Sequence, residues 1–165
     1  EAHYDPATPI TGDANGDGIR QSQGDEFIEL FNSTENNLDL SGYTVSDASA
    51  VRHTFPTGTI LASNGVLVLF GGGTPTGNFG GALVQTANGL DNRLNLNNSG
   101  DSIIVHDQEG EVILSYNSAD TSINHGADQS VTRFPDLFGD FVLHTEANSN
   151  GALYSPGTRT DGSSF

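Results

Sequence analysis

Apolar residues along this chain recur mostly at every second position or in short runs, and turn-forming residues interrupt them every eight to twelve positions. A period of two places successive side chains on opposite faces of a β-strand. No stretch carries the apolar stripe of an amphipathic helix. The pattern predicts strands at residues 26–32, 38–47, 51–55, 65–71, 82–86, 102–107, 111–117 and 130–134.

The turns between these segments favour antiparallel pairing. "NNSGD" at 97–101 and "DQEG" at 107–110 supply the Asn, Asp and Gly that tight turns need, and residues 102–117 form the clearest hairpin. An open sheet of this size would leave one apolar face in water, whereas two packed layers bury it. We therefore predict one all-β domain over residues 1–165, an immunoglobulin-like antiparallel β-sandwich, with a jelly roll as the alternative.

Composition narrows the classes of partner. Five Arg, no Lys and 21 acidic residues give a net charge of −16, which repels nucleic acids and anionic membranes. No apolar run is long enough to insert into a membrane. The chain has no Cys and is rich in Gly, which, with the acidity and the missing Lys, suggests an extracellular bacterial protein. A start at Glu1 instead of Met fits secretion with removal of a leader.

Residues 13–18 read D-A-N-G-D-G, the start of a calcium-binding loop. In such loops the side chains at positions one, three and five bind the ion, a glycine at six permits a sharp bend, and the carbonyl at seven adds an oxygen. The twelfth position is Gly24 in place of the usual glutamate, so Asp25 or Glu26 is expected to replace it. The predicted loop spans residues 13–26, and its Ca²⁺ ligands are Asp13, Asn15, Asp17, Ile19, Asp25 and Glu26.

The alternative for this loop is a solvated acidic turn, since no helix flanks it as in an EF-hand. Calcium is favoured because the side-chain ligands are hard oxygens and because clustered carboxylates repel one another without a cation. A catalytic acid pair is disfavoured, because a Gly-rich surface loop does not provide the dry cleft that raises a carboxyl pKa.

Other catalytic and binding patterns are missing from the sequence. The five His are scattered without zinc-ligand spacing, no G-x-S-x-G occurs, and the Gly-rich residues 71–81 lack the ending of a phosphate-binding loop. We therefore expect no enzyme activity. Arg133 and Arg159 are expected to pair with nearby acids such as Asp128, Asp136 or Asp161.

Several segments in order resemble the bacterial lamin tail domain family. They are "DEFIELFN" at 25–32, "LDLSGYTVSD" at 38–47, "HTFPTGTIL" at 53–61, "NGVLVLFGGG" at 64–73, "LNLNNSGDSIIVHDQEGEVI" at 94–113, "DQSVTRFPD" at 128–136 and "SPGTRTDG" at 155–162. The resemblance implies an immunoglobulin-like sandwich without a catalytic site, used in secreted and surface proteins. Members usually open with a strand similar to "VINEI", whereas this chain begins with "EAHYDP", so either that strand is missing or "EAHY" replaces it.

These observations lead to a functional expectation. The chain is expected to be a calcium-stabilised structural or adhesive module that associates with copies of itself in a surface fibre or filament, because an unpaired sheet edge invites strand addition. The alternative is an accessory binding module of a larger secreted hydrolase or nuclease, holding a carbohydrate or a cell-surface component. The chain has no Trp, which disfavours a sugar platform.

Overall fold

Short β-strands make up most of the regular structure in the computed structural model, which describes residues 1–8, 10–148 and 150–165. The strands are β1 (Ala2–His3), β2 (Phe27–Phe31), β3 (Leu38–Asp39), β4 (Thr44–Ser46), β5 (Val51–Thr54), β6 (Ile60–Leu61), β7 (Val66–Phe70), β8 (Leu83–Thr86), β9 (Ser102–His106), β10 (Val112–Asn117), β11 (Val131–Phe134) and β12 (Asp140–Leu143). The helical elements are 3₁₀ turns at Ile10–Gly12, Leu90–Asn92 and Ser118–Asp120, and the α-helix α1 at His144–Ala147.

Two sheets pack against each other, as the alternating pattern predicts. One has the strand order β12-β11-β1-β2-β7-β8 and the other β10-β9-β4-β5, while β3 and β6 form a separate pair. The core between the sheets contains Ile28 and Leu69 from the first sheet and Val45, Ile103 and Val105 from the second. The fold is therefore the predicted immunoglobulin-like β-sandwich.

The six-stranded sheet is also covered on its outer face. Phe27 of β2 and Phe70 of β7 belong to a second apolar cluster, against which Phe79, Tyr154 and Phe165 pack. All five residues of β7 are buried as a result. A continuous apolar run such as "VLVLF" is typical of a strand that is covered on both sides.

All eight predicted segments contain strands, but three details differ from the prediction. Residues 38–47 hold two strands, β3 and β4, because the chain turns at Gly42, whose φ of 75° suits a residue without a side chain. The pattern missed the two-residue β6 and the strand β12. Finally, β8 pairs in parallel with β7, so the sandwich is not wholly antiparallel. The Gly-rich residues 71–82 are long enough to carry the chain back for this parallel pairing.

The segment "EAHY" supplies the first strand. β1 lies between β11 and β2 and pairs antiparallel with both. Ala2 and Tyr4 point into the core between the sheets, while His3 packs on the outer side against the rings of Phe27 and Tyr154. A two-residue strand thus occupies a central position in the sheet.

The predicted pairing of Arg133 and Arg159 with acids is wrong. Among the described residues, the one ion pair within 4.0 Å joins Arg52 and Asp47. The guanidinium of Arg133 lies 4.2 Å from the ring centre of Phe141, and that of Arg159 lies 5.1 Å from the ring of Phe165. Stacking on an aromatic ring leaves the charge near water and avoids the cost of burying an ion pair.

Candidate functional site

The loop that precedes β2 folds around the side chain of Asn15, which is almost fully buried. The Asn15 backbone N–H donates to Asp25 Oδ1 at 3.1 Å, and Asn15 Oδ1 accepts from the Asp17 N–H at 3.0 Å. Its Nδ2 reaches the carbonyl of Gly72 at 3.2 Å, which ties the loop to the segment after β7. Asn15 therefore positions the loop, and its Oδ1, which accepts one hydrogen bond, keeps a second lone pair for another partner.

Three carboxylates of the loop accept hydrogen bonds from its own backbone. Gly18 N–H donates to Asp13 Oδ2 at 2.8 Å, Ile19 N–H donates to Asp17 Oδ1 at 2.8 Å, and Gln21 N–H donates to Asp25 Oδ2 at 2.7 Å. Burial raises the pKa of Asp25, and the negative charges of Asp13 and Asp17 raise it further. The three acids are thus close enough for their charges to act on one another.

One oxygen of this group lacks a hydrogen-bond partner. Asp13 Oδ1 is buried and has no protein donor among the described residues. A buried carboxylate oxygen without a partner is costly and commonly marks the position of a water or an ion. The donor set of the loop therefore fits a hard cation, which prefers carboxylate and carbonyl oxygens.

One of the predicted ligands, Glu26, lies elsewhere. Glu26 Oε2 accepts the N–H of Leu96 at 3.0 Å, so its carboxylate is held by the segment before β9 while that of Asp25 is held within the loop. Burial raises the pKa of Glu26 to about 8. Ile19, which was predicted to bind through its backbone carbonyl, stays in the loop, where its N–H donates to Asp17 Oδ1. The structure thus groups Asp13, Asn15, Asp17 and Asp25 and separates Glu26 from them.

The described residues contain no group of three or more His, Cys, Asp or Glu side chains arranged to hold a metal ion. An ion at this loop would therefore depend on amide and backbone oxygens in addition to the carboxylates. The calcium prediction stays a prediction.

A second candidate region is the free edge of the four-stranded sheet. β10 pairs with β9 on one side and, among the described residues, has no strand on the other. Its residues Val112, Ile113 and Leu114 are 57%, 58% and 43% exposed. Three successive exposed apolar residues on an edge strand form a surface that another chain can cover. The sequence pattern predicts the strand but not its position at the edge of the sheet, so it does not reveal this surface.

An open cavity of about 330 Å³ adjoins this edge. Its lining comes from both sheets: Leu114 and Tyr116 of β10 form part of its wall together with residues of β1, β2 and β11. Phe138, which is 85% exposed, stands at the same cavity. The apolar surface of β10 therefore continues into the interior of the sandwich.

A polar cavity of about 400 Å³ lies beside the acidic loop. Its walls are backbone and polar side chains from three segments: Gln21, Ser22, Gln23 and Gly24, then Gly71, Gly72 and Gly73, then Asn92 and Arg93. No aromatic ring lines it, so it lacks the stacking surface of a sugar platform.

His144, Ser155 and Glu1 are residue types that occur in catalytic triads, but their geometry here indicates a structural role. His144 Nε2 lies 2.9 Å from Ser155 Oγ, and Ser155 Oγ donates to Glu1 Oε2 at 2.8 Å. In a catalytic triad the acid contacts the histidine, whereas here the acid contacts the serine and His144 Nδ1 faces the carbonyl of Ala152 at 2.8 Å. His144 is fully buried, so this chain of contacts anchors Glu1 beside Ser155. Sequence patterns could not reveal it, because its members lie far apart in the chain.

The model of the Lamin Tail Domain family matches residues 7–120, well over half of the chain. No curated protein matches the chain. No helix in the described ranges is long and apolar enough to cross a membrane. The match covers the acidic loop and β2 to β10, and the observed sandwich is the fold of that immunoglobulin-like, non-enzymatic family. The chain therefore belongs to the lamin tail domain family.

Proposed function

We propose that this chain is a non-catalytic, calcium-stabilised structural or adhesive module that works outside the cell and associates with copies of itself. The observation that carries the proposal is the exposed apolar edge of β10. An edge strand presents unpaired backbone N–H and C=O groups, and its exposed Val112, Ile113 and Leu114 add an apolar surface. A second strand that pairs with this edge would supply hydrogen-bond partners for the backbone groups and cover the apolar side chains.

The composition of the edge supports association between identical chains. β10 itself carries no charged residue and no Pro, the residues that commonly block edge pairing, and its one irregularity is a shift of register between Val112 and Leu114. Two antiparallel β10 strands would pair symmetrically, each burying the exposed residues of the other. That contact closes into a dimer, so growth into the expected fibre would require a second, head-to-tail contact.

The size of the native particle tests the assembly. Static light scattering and negative-stain microscopy in millimolar calcium are expected to show particles larger than one chain of 17.3 kDa. The net charge of −16 opposes association, so the particles are expected to grow when salt screens that charge. A strictly monomeric particle under all these conditions would contradict the proposal.

Calcium is proposed to bind the loop through Asp13, Asn15, Asp17 and Asp25. The unpartnered Asp13 Oδ1 supports this, and an ion there would also offset the repulsion that Asp13 and Asp17 exert on Asp25. When bound, Ca²⁺ would supply the positive charge that holds these carboxylates together. The chain's own contribution is the backbone cradle that already orients the carboxylates.

Thermal unfolding with and without a chelator tests the calcium site. Calcium is expected to raise the melting temperature, because an ion that binds the folded state at a hundred times its Kd adds about 2.7 kcal/mol to the free energy of unfolding. Asp13→Ala is expected to remove the calcium-induced rise, whereas the control Asp39→Ala, at an exposed acid in β3, is expected to retain it. Identical melts of the native chain with and without calcium would refute the site.

The polar cavity beside the loop supports a second candidate, an accessory binding module of a larger secreted hydrolase or nuclease. Arg93, Asn92 and Gln23 offer hydrogen-bond donors and acceptors, so a polar ligand such as an oligosaccharide would be held by hydrogen bonds and not by stacking on a ring. Calorimetric titration with soluble polysaccharide fragments tests it. Binding that Arg93→Ala abolishes would favour this function, and the absence of heat with all fragments would count against it.

A further inference from the structure

Four of the five Arg side chains contact other parts of the chain. Arg20 donates to the carbonyls of Pro6 and Ala7, Arg52 pairs with Asp47, Arg133 donates to the Gly139 carbonyl and stacks on Phe141, and Arg159 stacks on Phe165. Arg93 is exposed and, among the described residues, its side chain has no hydrogen bond, ion pair or ring contact. It lines the polar cavity of about 400 Å³. One cation in a chain with a net charge of −16 is thus available to a ligand of this cavity.

The local backbone directs Arg93 outward. Asp91 and Asn92 have φ values of 60° and 52°, a left-handed conformation that Asp and Asn adopt more readily than most residues with a side chain. Arg93 itself is extended, with φ −147° and ψ 150°, and the next residue, Leu94, is fully buried in the core. Successive side chains of extended backbone point to opposite sides, so the burial of Leu94 fixes Arg93 on the outer side.

The three segments that form the cavity are joined by hydrogen bonds. Gln23 Nε2 donates to Asn95 Oδ1 at 3.0 Å, which ties residues 21–24 to the segment that carries Arg93. The Gly72 N–H donates to the Gly24 carbonyl at 3.1 Å, which ties residues 21–24 to residues 71–73. A ligand therefore enters a preformed cavity and does not have to order its walls.

The cavity has no acidic lining, although the chain has 21 acidic residues. The carboxylates of the adjacent loop accept backbone hydrogen bonds: Asp25 accepts the Gln21 N–H at 2.7 Å, and Asp17 accepts the Thr74 N–H at 3.1 Å. The net charge repels an anion at long range, but physiological salt screens charges beyond about 8 Å. Inside the cavity an anionic group would meet Arg93 and, among the described residues, no acid in the lining.

The lining also indicates which anion fits. A guanidinium holds a carboxylate through two parallel hydrogen bonds. A carboxylate carries less charge than a phosphate monoester at pH 7, so the chain repels it less. The amide and hydroxyl groups of Gln21, Ser22 and Asn92 can donate to and accept from ligand hydroxyl groups. The lining has no ring on which a base could stack and no apolar side chain for an apolar peptide.

We propose that the polar cavity binds an acidic saccharide, with the carboxylate of a uronic acid unit on Arg93 and its hydroxyl groups on Gln21, Ser22 and Asn92. The volume of the cavity lies in the range of about 300–1,000 Å³ that is usual for small-ligand sites. The inference rests on the accessory binding function proposed above as the second candidate, and it specifies the class of ligand. It does not depend on self-association through β10.

Calorimetric titration with matched pairs of disaccharides tests the class of ligand. The probes end in glucuronate, galacturonate or mannuronate, and each is paired with the neutral disaccharide that has a hydroxymethyl group in place of the carboxylate. At least one uronate is expected to bind saturably and at least tenfold more tightly than its neutral partner. The NMR signals of the Ser22 and Gly73 amides are expected to shift on binding. Equal affinities within every pair would overturn the proposal.

Variants of two exposed Arg residues locate the site. Arg93→Gln is expected to weaken uronate binding at least tenfold, to the level of the neutral partner, and to leave the affinity of the neutral partner unchanged. Arg93→Lys keeps the charge but not the two-bond geometry, so it is expected to keep part of the preference. The control Arg133→Gln removes the same charge beside the other cavity and is expected to bind like the native chain. Uronate binding that Arg93→Gln leaves unchanged, or that Arg133→Gln weakens equally, would overturn the site.

The same titrations separate this proposal from the function on which it rests. Neutral and acidic disaccharides that bind equally well would retain the accessory binding function and overturn the preference for uronate. No binding of any disaccharide at millimolar concentration would overturn both. Particle size is measured separately, so a failure of self-association could not be mistaken for either result.

Discussion

The two edge strands of the four-stranded sheet, β5 and β10, differ in how they are covered. At β5 the Asn88 side chain accepts from the Thr54 N–H at 2.8 Å and donates to the Thr54 carbonyl at 2.9 Å, and Gly89 N–H donates to the Arg52 carbonyl at 2.9 Å. β5 also has two buried residues in its middle, Arg52 and His53. None of the six residues of β10 is buried, and its outer backbone edge meets no strand in the part of the chain that the structure describes.

The difference shows that the fold covers one edge and leaves the other open. At β5 the backbone groups of the edge are satisfied by the segment around Asn88, so a neighbour would gain little by pairing there. At β10 the exposed run "VIL" coincides with the free backbone. We therefore interpret β10 as the edge that a partner covers.

The largest loss of stability is expected at the covered edge, when its ion pair is removed. Arg52 Nη2 lies 2.7 Å from Asp47 Oδ2, with both side chains almost fully buried. Burial alone would raise the pKa of Asp47, but hydrogen bonds from Arg52, Ser49 and Ala50 outweigh it and hold that pKa below its usual range. Asp47→Ala would leave a buried charge without a partner and is expected to lower the free energy of unfolding by about 3–5 kcal/mol. Urea denaturation measures the loss, and the exposed substitution Glu109→Gln should cause little change.

The pH dependence of stability also depends on the covered edge. His53 is buried, its Nε2 lies 2.8 Å from Gln85 Oε1, and burial lowers its pKa below the usual 6.5. The folded state thus disfavours the protonated ring. The contribution of neutral His53 to the free energy of unfolding is therefore complete above pH 6.5 and is lost as the pH falls below that value. His53→Gln is expected to reduce the acid slope of the unfolding free energy by up to about 1.4 kcal/mol per pH unit. Denaturation midpoints between pH 7 and 4 measure this, and an unchanged slope would contradict it.

A smaller loss of stability is expected when the Asn88 side chain no longer covers the β5 edge. Asn88→Ala removes two hydrogen bonds to Thr54 at an exposed position and is expected to lower the free energy of unfolding by about 1 kcal/mol. Hydrogen exchange of the Thr54 amide should accelerate more than that of the Val105 amide in the interior strand β9, which β4 separates from β5. Equal acceleration at both amides would indicate global destabilisation and not loss of an edge cover.

The sequence predicted the parts of the fold that depend on local pattern. Runs such as 65–71 and the hairpin at 102–117 alternate or cluster strongly enough to identify strands. The burial of these strands could not be predicted in the same way. "VLVLF" of β7 and "VIL" of β10 are equally apolar, yet β7 is buried and β10 is exposed because β7 lies inside the sheet and β10 at its edge.

The candidate sites also combine features that the local sequence pattern predicts with features that only the folded chain reveals. Asp13, Asn15 and Asp17 were identifiable from their spacing because all of them lie in one loop. The separation of Glu26 from this group depends on Leu96, seventy residues away.

Sedimentation velocity of the native chain and of Ile113→Lys, in millimolar calcium over a range of protein concentrations, tests the central claim most directly. Ile113 is 58% exposed, so the substitution is expected to change stability by no more than about 0.5 kcal/mol. The native chain is expected to sediment faster as its concentration rises, Ile113→Lys to remain a monomer, and the control Ile60→Lys, at the 46% exposed position in β6, to behave like the native chain. A native chain that stays monomeric at every concentration, or an Ile113→Lys variant that associates as strongly as the native chain, would contradict the claim that β10 is the self-association edge.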